Sequence, residues 1–164
     1  MARSAVMNFM KQQGFTQEPP DRAALRFKGL QFQPTIVGAM MLVAILTQSP
    51  AIFLLVSALL WLNVLLPAAN PFEQVYNRFV ARRRGRPPLT PAPGPRRFAQ
   101  GMAAVFMLAA GLTLLQGWRT ASYVFQGLLA VAFAALLLGK FCLGAYVYHL
   151  CRARQWDVPL ERFA

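Results

Sequence analysis

The sequence predicts an all-α polytopic membrane protein: four transmembrane helices as two pseudo-repeated hairpins, with an amphipathic interfacial helix between them. Three observations predict it. Of 164 residues, 57% are hydrophobic and 13% charged, roughly half the ~25% charged share that a soluble domain carries. The uncharged residues fall in long runs, and the cations sit in blocks that flank those runs. The first two exclude a water-covered globule and a disordered chain, and the third accounts for the net charge of +12 without nucleic acid, since cations bordering apolar runs are the distribution of a membrane protein.

Residues 1–30 form a basic N-terminal segment with Arg3, Lys11, Arg22, Arg26 and Lys28. Its ~28 mostly polar residues put the first apolar run too far along for a cleaved signal peptide. Gly29 to Phe72 is then 44 residues without a charge, which as helix is about twice the ~30 Å hydrocarbon thickness. Thr47-Gln48-Ser49-Pro50 supplies turn chemistry near its middle. The run therefore divides into helices at 33–48 and 50–67, and hairpin 1 occupies 31–68.

Residues 69–97 make a loop in two parts. Asn70-Pro71-Phe72-Glu73 reads as a helix start, with Asn as N-cap, Pro in the first turn and Glu three residues after the cap. Over 71–84, Phe72, Val75, Tyr76, Phe79 and Val80 share one face and Glu73, Gln74, Asn77 and Arg78 the other. In the headgroup plane this helix buries its aromatic face and lays Arg82, Arg83 and Arg84 on anionic lipid; alternatively the same face packs on the protein's own segments. Five prolines between Gly85 and Pro95 make an extended spacer over 85–97.

Hairpin 2, with an interfacial end, covers 98–151. Phe98 to Trp118 gives 21 uncharged residues and Thr120 to Gly139 gives 20 more, separated by Arg119. Residues 152–164 form a tail with Arg152, Arg154 and Arg162. Four crossings put both termini and the central loop on one side, which holds fifteen cations against Arg119 alone opposite. The positive-inside rule makes that side the cytoplasm and the protein a multi-pass resident of the bacterial inner membrane.

Few residues offer chemistry. Cys142 and Cys151 are nine apart, about 13 Å along a helix, beyond the ~7 Å Cα separation of a disulfide. Lys140 is the one charge between the fourth helix and the tail; either it acts at membrane depth or, the reading favoured here, the helix ends and its ammonium snorkels to headgroups or a partner. His149, the single histidine, offers one axial ligand for a haem or chlorin, or is an interfacial polar tip. One His and two distant Cys do not form a zinc site. Five acidic residues, none in a spanning helix, leave no carboxylate relay and little acid–base catalysis. Small residues mark helix three (Gly101, Ala103, Ala104, Ala109, Ala110, Gly111) and helix four (Ala130, Ala134, Ala135, Gly139), where backbones can approach closely in lipid.

The halves look alike. Arg26-Phe27 precedes the first hairpin and Arg97-Phe98 the second, and each ends in an aromatic segment, a pattern of parallel duplication. By that analogy residues 141–151 leave the bilayer core after Lys140 and run near its surface. The Leu25-Arg26-Phe27 entry, Arg97-Phe98-Ala99-Gln100-Gly101, and Phe141-Cys142-Leu143-Gly144 followed by Tyr146 and Tyr148 resemble the bacterial integral-membrane family DUF4395, over about residues 24–152. The resemblance implies thiol chemistry and a thioredoxin-like or sulfurtransferase partner, because that family's segment usually reads Phe-Cys-Leu-Gly-Cys. Here Ala145 stands at the second cysteine position, so the attacking and resolving thiols of a dithiol pair are not both present.

These readings combine into an expected function: a non-catalytic accessory or scaffolding subunit of a bacterial membrane complex, with no required cofactor. Its partners are other membrane subunits and anionic lipids. Energy-transducing complexes, respiratory or photosynthetic, are hosts of that kind. The alternatives are a component of thiol or sulfur redox traffic through Cys142 and a haem- or chlorin-binding protein through His149.

Overall fold

The computed structural model describes residues 2–15 and 20–156, with side chains over 6–15 and 25–152. The tail beyond residue 156, and the side chains of Arg3, Arg22, Arg154 and Arg162, lie outside the described residues. What is described is helical: α1 (Ala2–Gln12), α2 (Pro20–Leu30), α3 (Phe32–Thr47), α4 (Pro50–Leu65), α5 (Pro71–Val75), a π-helical stretch Tyr76–Ala81, α6 (Arg82–Arg84), α7 (Gly94–Leu115), α8 (Arg119–Leu137) and α9 (Leu143–Trp156).

Among the described residues three helices are long and apolar enough to cross a membrane: Leu25–Thr47, in which α2 runs into α3, Gly94–Leu115 and Arg119–Leu137. The fourth expected helix, α4, has 16 residues, about 24 Å of rise, because Pro67 opens a separate 3-10 turn over Pro67–Ala69. The α3–α4 turn forms where the sequence put it. Gln48 takes a left-handed conformation at φ 47°, the Ser49 N–H reaches back to the Ala44 carbonyl at 3.2 Å, and Pro50 starts α4 with its fixed φ.

Contacts along the helices define an up-down-up-down bundle. α4 lies against α7 in opposite sense, with Ser57 Oγ donating to the Ala104 carbonyl (2.8 Å) and Arg97 donating to the Val64 carbonyl (2.7 Å). The α3–α4 turn meets the start of α8, where the Gln48 and Gln126 amides exchange hydrogen bonds at 3.0 and 3.3 Å. Gln126 also donates to Ser122, and Ser122 to the Ala110 carbonyl. Between the ends, Val37, Phe53, Val56, Leu60, Met107 and Leu129 fill the bundle core.

The other end is capped by α1, α2, α5–α6 and α9 around Phe9, Met10, Leu30, Tyr76 and Leu89. The helix predicted over 71–84 is present, but its π-helical stretch turns the aromatic face. Phe72 and Tyr76 are buried in the protein, whereas Val75 and Phe79 are exposed, so the lipid-facing reading fails for the first two and the self-packing alternative holds for them. The proline-rich spacer folds back on this helix, with the Asn77 amide accepting from the Leu89 N–H (2.7 Å) and donating to its carbonyl (3.0 Å).

α9 docks on α7 through one glycine. A Cβ on Gly144 would stand 2.7 Å from both Cα and Cβ of Ala99, so the two backbones approach as far as their atoms allow. Gly144→Ala is expected to lower the thermal midpoint in detergent by an overpacking cost of about 1–3 kcal/mol, and Ala99→Gly in the same chain to recover only part of it, because the Ala99 Cα still stands 2.7 Å from the added Cβ. An unchanged midpoint contradicts this packing.

Candidate functional site

The cap end of the bundle buries a set of polar side chains that periodicity alone does not reveal. Gln33 in the first turn of α3 is the centre. Its carbonyl oxygen Oε1 accepts from Gln100 Nε2 (3.0 Å), Arg96 Nη2 (3.2 Å) and Asn70 Nδ2 (3.4 Å). Arg96 and Gln100 are one turn apart on α7 and so share a face. Asn70 caps α5 as the sequence predicts, its Oδ1 accepting from the N–H groups of Phe72 and Glu73.

Glu73, expected on the outward face, is buried instead and lies 3.8 Å from Arg96 Nη1. That distance is an ion pair without a hydrogen bond, and Arg96 Nη1 and Glu73 Oε1 each have no hydrogen-bond partner. Burial pushes the Glu73 carboxyl above its ordinary value, against the opposing pull of Arg96 and the Asn70 side chain.

Beside this cluster is a cavity of about 100 Å³ between α3, α7, α8 and the start of α9. Gln33, Arg96, Gln100, Gln13 and Cys142 make its polar side. α1 closes in from the cap: Gln12 Oε1 accepts from the Cys142 N–H at 3.1 Å, and the Gln12 carbonyl lies 2.9 Å from His149 Nε2. Burial pushes the Cys142 thiol up, only partly offset by the N–H groups of Ala145 and Gly144, the Gln13 side chain and the Arg96 charge. At neutral pH it is therefore a thiol, the weakly nucleophilic form.

The residues singled out in the sequence scatter. Cys142 is buried and Cys151 exposed, and neither is in a disulfide. Ala145 is fully buried on the same turn as Cys142. His149 faces α1 through Nε2, so ligating a haem or chlorin iron through that atom requires giving up the Gln12 contact. Lys140 lies past the end of α8 in a left-handed turn (φ 53°), with Nζ 5.7 Å from the centre of the Phe27 ring; it belongs to the α8–α9 link and not to a spanning helix. Phe79, Arg82, Arg83 and Arg84 are exposed. Among the described residues no group of three His, Cys, Asp or Glu side chains could hold a metal ion.

The model of a family described as a domain of unknown function, DUF4395, matches residues 26–153, well over half of the chain. The chain belongs to the DUF4395 family. The match begins at the Arg26-Phe27 entry and ends just past α9's Cys151, so it takes in the whole Gln33–Arg96 cluster and most of the cavity wall. Phe9 and Gln13, which cover the cavity from α1 and its end, and Gln12, which holds the Cys142 N–H, stand outside it. No curated protein and no solved structure matches this DUF4395 chain.

The sequence reading missed Gln33, Gln100, Gln12 and Gln13, and counted Arg96 only as a flanking cation. A signal existed. Gln33 and Gln100 are among the few amides inside uncharged runs, and a polar group there needs a partner inside the protein. In the folded state Glu73 holds its proton to higher pH than an unfolded carboxyl does, so the folded state binds more protons across that window and stability falls as pH rises through it. The thermal midpoint should fall as pH rises above the ordinary carboxylate range, and Glu73→Gln should remove most of that slope. An equal slope in Glu73→Gln contradicts the assignment.

Proposed function

We propose that this chain is a non-catalytic accessory or scaffolding subunit of a bacterial inner-membrane complex. In this reading it crosses the bilayer four times as two related hairpins, α4 included, and its cap, both termini and the 69–97 loop are cytoplasmic. The fifteen-to-one distribution of cations supports that orientation. Exposed Phe79 and Arg82–Arg84 then rest on anionic lipid at the cytoplasmic surface.

The observation that carries the proposal is the outward face of α8. This helix is membrane-length, yet only 22% of its apolar window is enclosed by the rest of the bundle. Val124, Gly127, Val131, Ala134 and Leu138 are all exposed and recur at alternating three- and four-residue intervals, the spacing of a helix–helix seam. Gly127 and Ala134 keep that seam low, so another helix can come close. By contrast the small residues of α7, Ala104, Ala110 and Gly111, are consumed within the bundle.

A second reading, thiol or sulfur redox traffic through Cys142, is favoured by the cysteine's place on the cavity wall beside Arg96. It predicts that Cys142→Ser abolishes redox trapping of a thioredoxin-like partner. The two readings separate experimentally. Nothing lies within 4 Å of a Cβ built on Gly127, so Gly127→Leu, which also removes a helix-interior glycine, should not lower the thermal midpoint. It should reduce stoichiometric co-purification of membrane subunits from native membranes by about tenfold. A partner-free monomer in mild detergent, in both wild type and variant, sinks the subunit proposal.

A further inference from the structure

The cavity beside Gln33 has more room and more unused polarity than packing explains. Arg96 and Gln100, 4% and 8% exposed, both line it. Arg96 Nη2 and Gln100 Nε2 donate to the same oxygen, Gln33 Oε1, so their terminal groups lie side by side. Two further atoms of these groups, the donor Arg96 Nη1, which comes no nearer to Glu73 Oε1 than 3.8 Å, and the acceptor Gln100 Oε1, are buried and have no hydrogen-bond partner. An unmade hydrogen bond on a buried group costs about 1–3 kcal/mol, and more on a charged one.

A head that satisfies both atoms must accept one hydrogen bond and donate another. It is also neutral, because the ionised Glu73 carboxylate 3.8 Å from Arg96 Nη1 already balances that guanidinium, and an anion added to the ion pair would be a buried charge without a counter-ion. A hydroxyl is the smallest group that does both. Water does so too, but a cavity of about 100 Å³ exceeds several times the ~10–15 Å³ that one water needs, and each further water needs two to four polar partners. Phe133, Leu136, Val37 and Leu60 supply none. α3 and α8, which carry three of these four residues, also expose Leu42, Leu46 and Val131 on the apolar exterior of the bundle.

We propose that this cavity binds the hydroxyl end of a neutral, membrane-soluble amphiphile. Its O–H donates to Gln100 Oε1 and accepts from Arg96 Nη1, and its alkyl chain or ring lies against Phe133 and Leu136. Cys142 and Gln13 complete the wall around the head, and Gln12 fixes Cys142 in place through its N–H.

The test uses the full chain in phosphatidylcholine nanodiscs, titrated with octanol, butylphenol and octanoate and read by saturation-transfer NMR. Octanol or butylphenol should bind saturably, the stronger of the two telling an alkyl from an aromatic carrier of the hydroxyl. Octanoate should bind at least about tenfold more weakly, the factor that 1.4 kcal/mol represents. Gln100→Leu, which removes the acceptor, and Ala103→Phe, which fills the cavity without touching its polar side, should each abolish binding. If Gln100→Leu does not fold, Ala103→Phe decides. The proposal is overturned if neither hydroxyl probe saturates, if octanoate binds as well as octanol, or if binding survives in the folded variants.

Discussion

A guanidinium, a carboxyl and several amides are held out of water at one end of an apolar bundle, and that desolvation sets the terms for the rest of the structure. Each buried ion costs several kcal/mol before its partners are counted. One oxygen offsets much of it: Gln33 Oε1 gathers donors from α7 and from the cap of α5. The entries of α3, α5 and α7 are therefore joined at a point. Glu73 follows from this constraint, since Asn70, the residue that caps α5, is also the one that fixes Glu73 next to Arg96.

In lipid, apolar contact alone gives helices little reason to prefer one another over acyl chains. The bundle answers with polar clips and close backbones. Ser57 on Ala104, Ser122 on Ala110 and the Gln48–Gln126 amide pair bind the helices away from the cap. α8 is clipped through its first two turns, and near its other end Phe133 and Leu136 face the cavity. Beyond the clips Phe133 and Leu137 still pack on Gly38 of α3, within 3.4 Å of where its Cβ would stand, so the cavity opens beside a close helix contact and the exposed face runs along the opposite side of α8.

Much of this was legible in the residues. Uncharged run lengths, the Thr47–Pro50 turn and the Asn70 cap gave the bundle helices, one hairpin turn and the start of α5 within a few positions, because each depends on local chemistry. What the residues did not reveal was tertiary. The length of α4 depended on Pro67 starting its own turn. Glu73 and Tyr76 turn inward to Arg96 and Phe32, partners distant in sequence, and the π-helical stretch that follows turns Phe79 out of the register a 3.6-residue period anticipates. The charges of residues 1–30 mark a basic segment, while the helical spacing of Val6, Phe9, Met10 and Gln13 within it shows only in its packing. The Gln33 cluster joins residues 63 and 67 positions apart, and no periodicity within one helix encodes such a meeting.

The central claim is that Gln33 holds the cap to the bundle. Backbone hydrogen exchange of wild type and Gln33→Leu in detergent tests it most directly, because exchange reports opening element by element. The account predicts faster exchange at the start of α7, in α5 and in the 3-10 turn before it, with the α4–α7 contact at Ser57 and Ala104 still protected. Unchanged protection in α5, or a uniform loss across all helices, would contradict it.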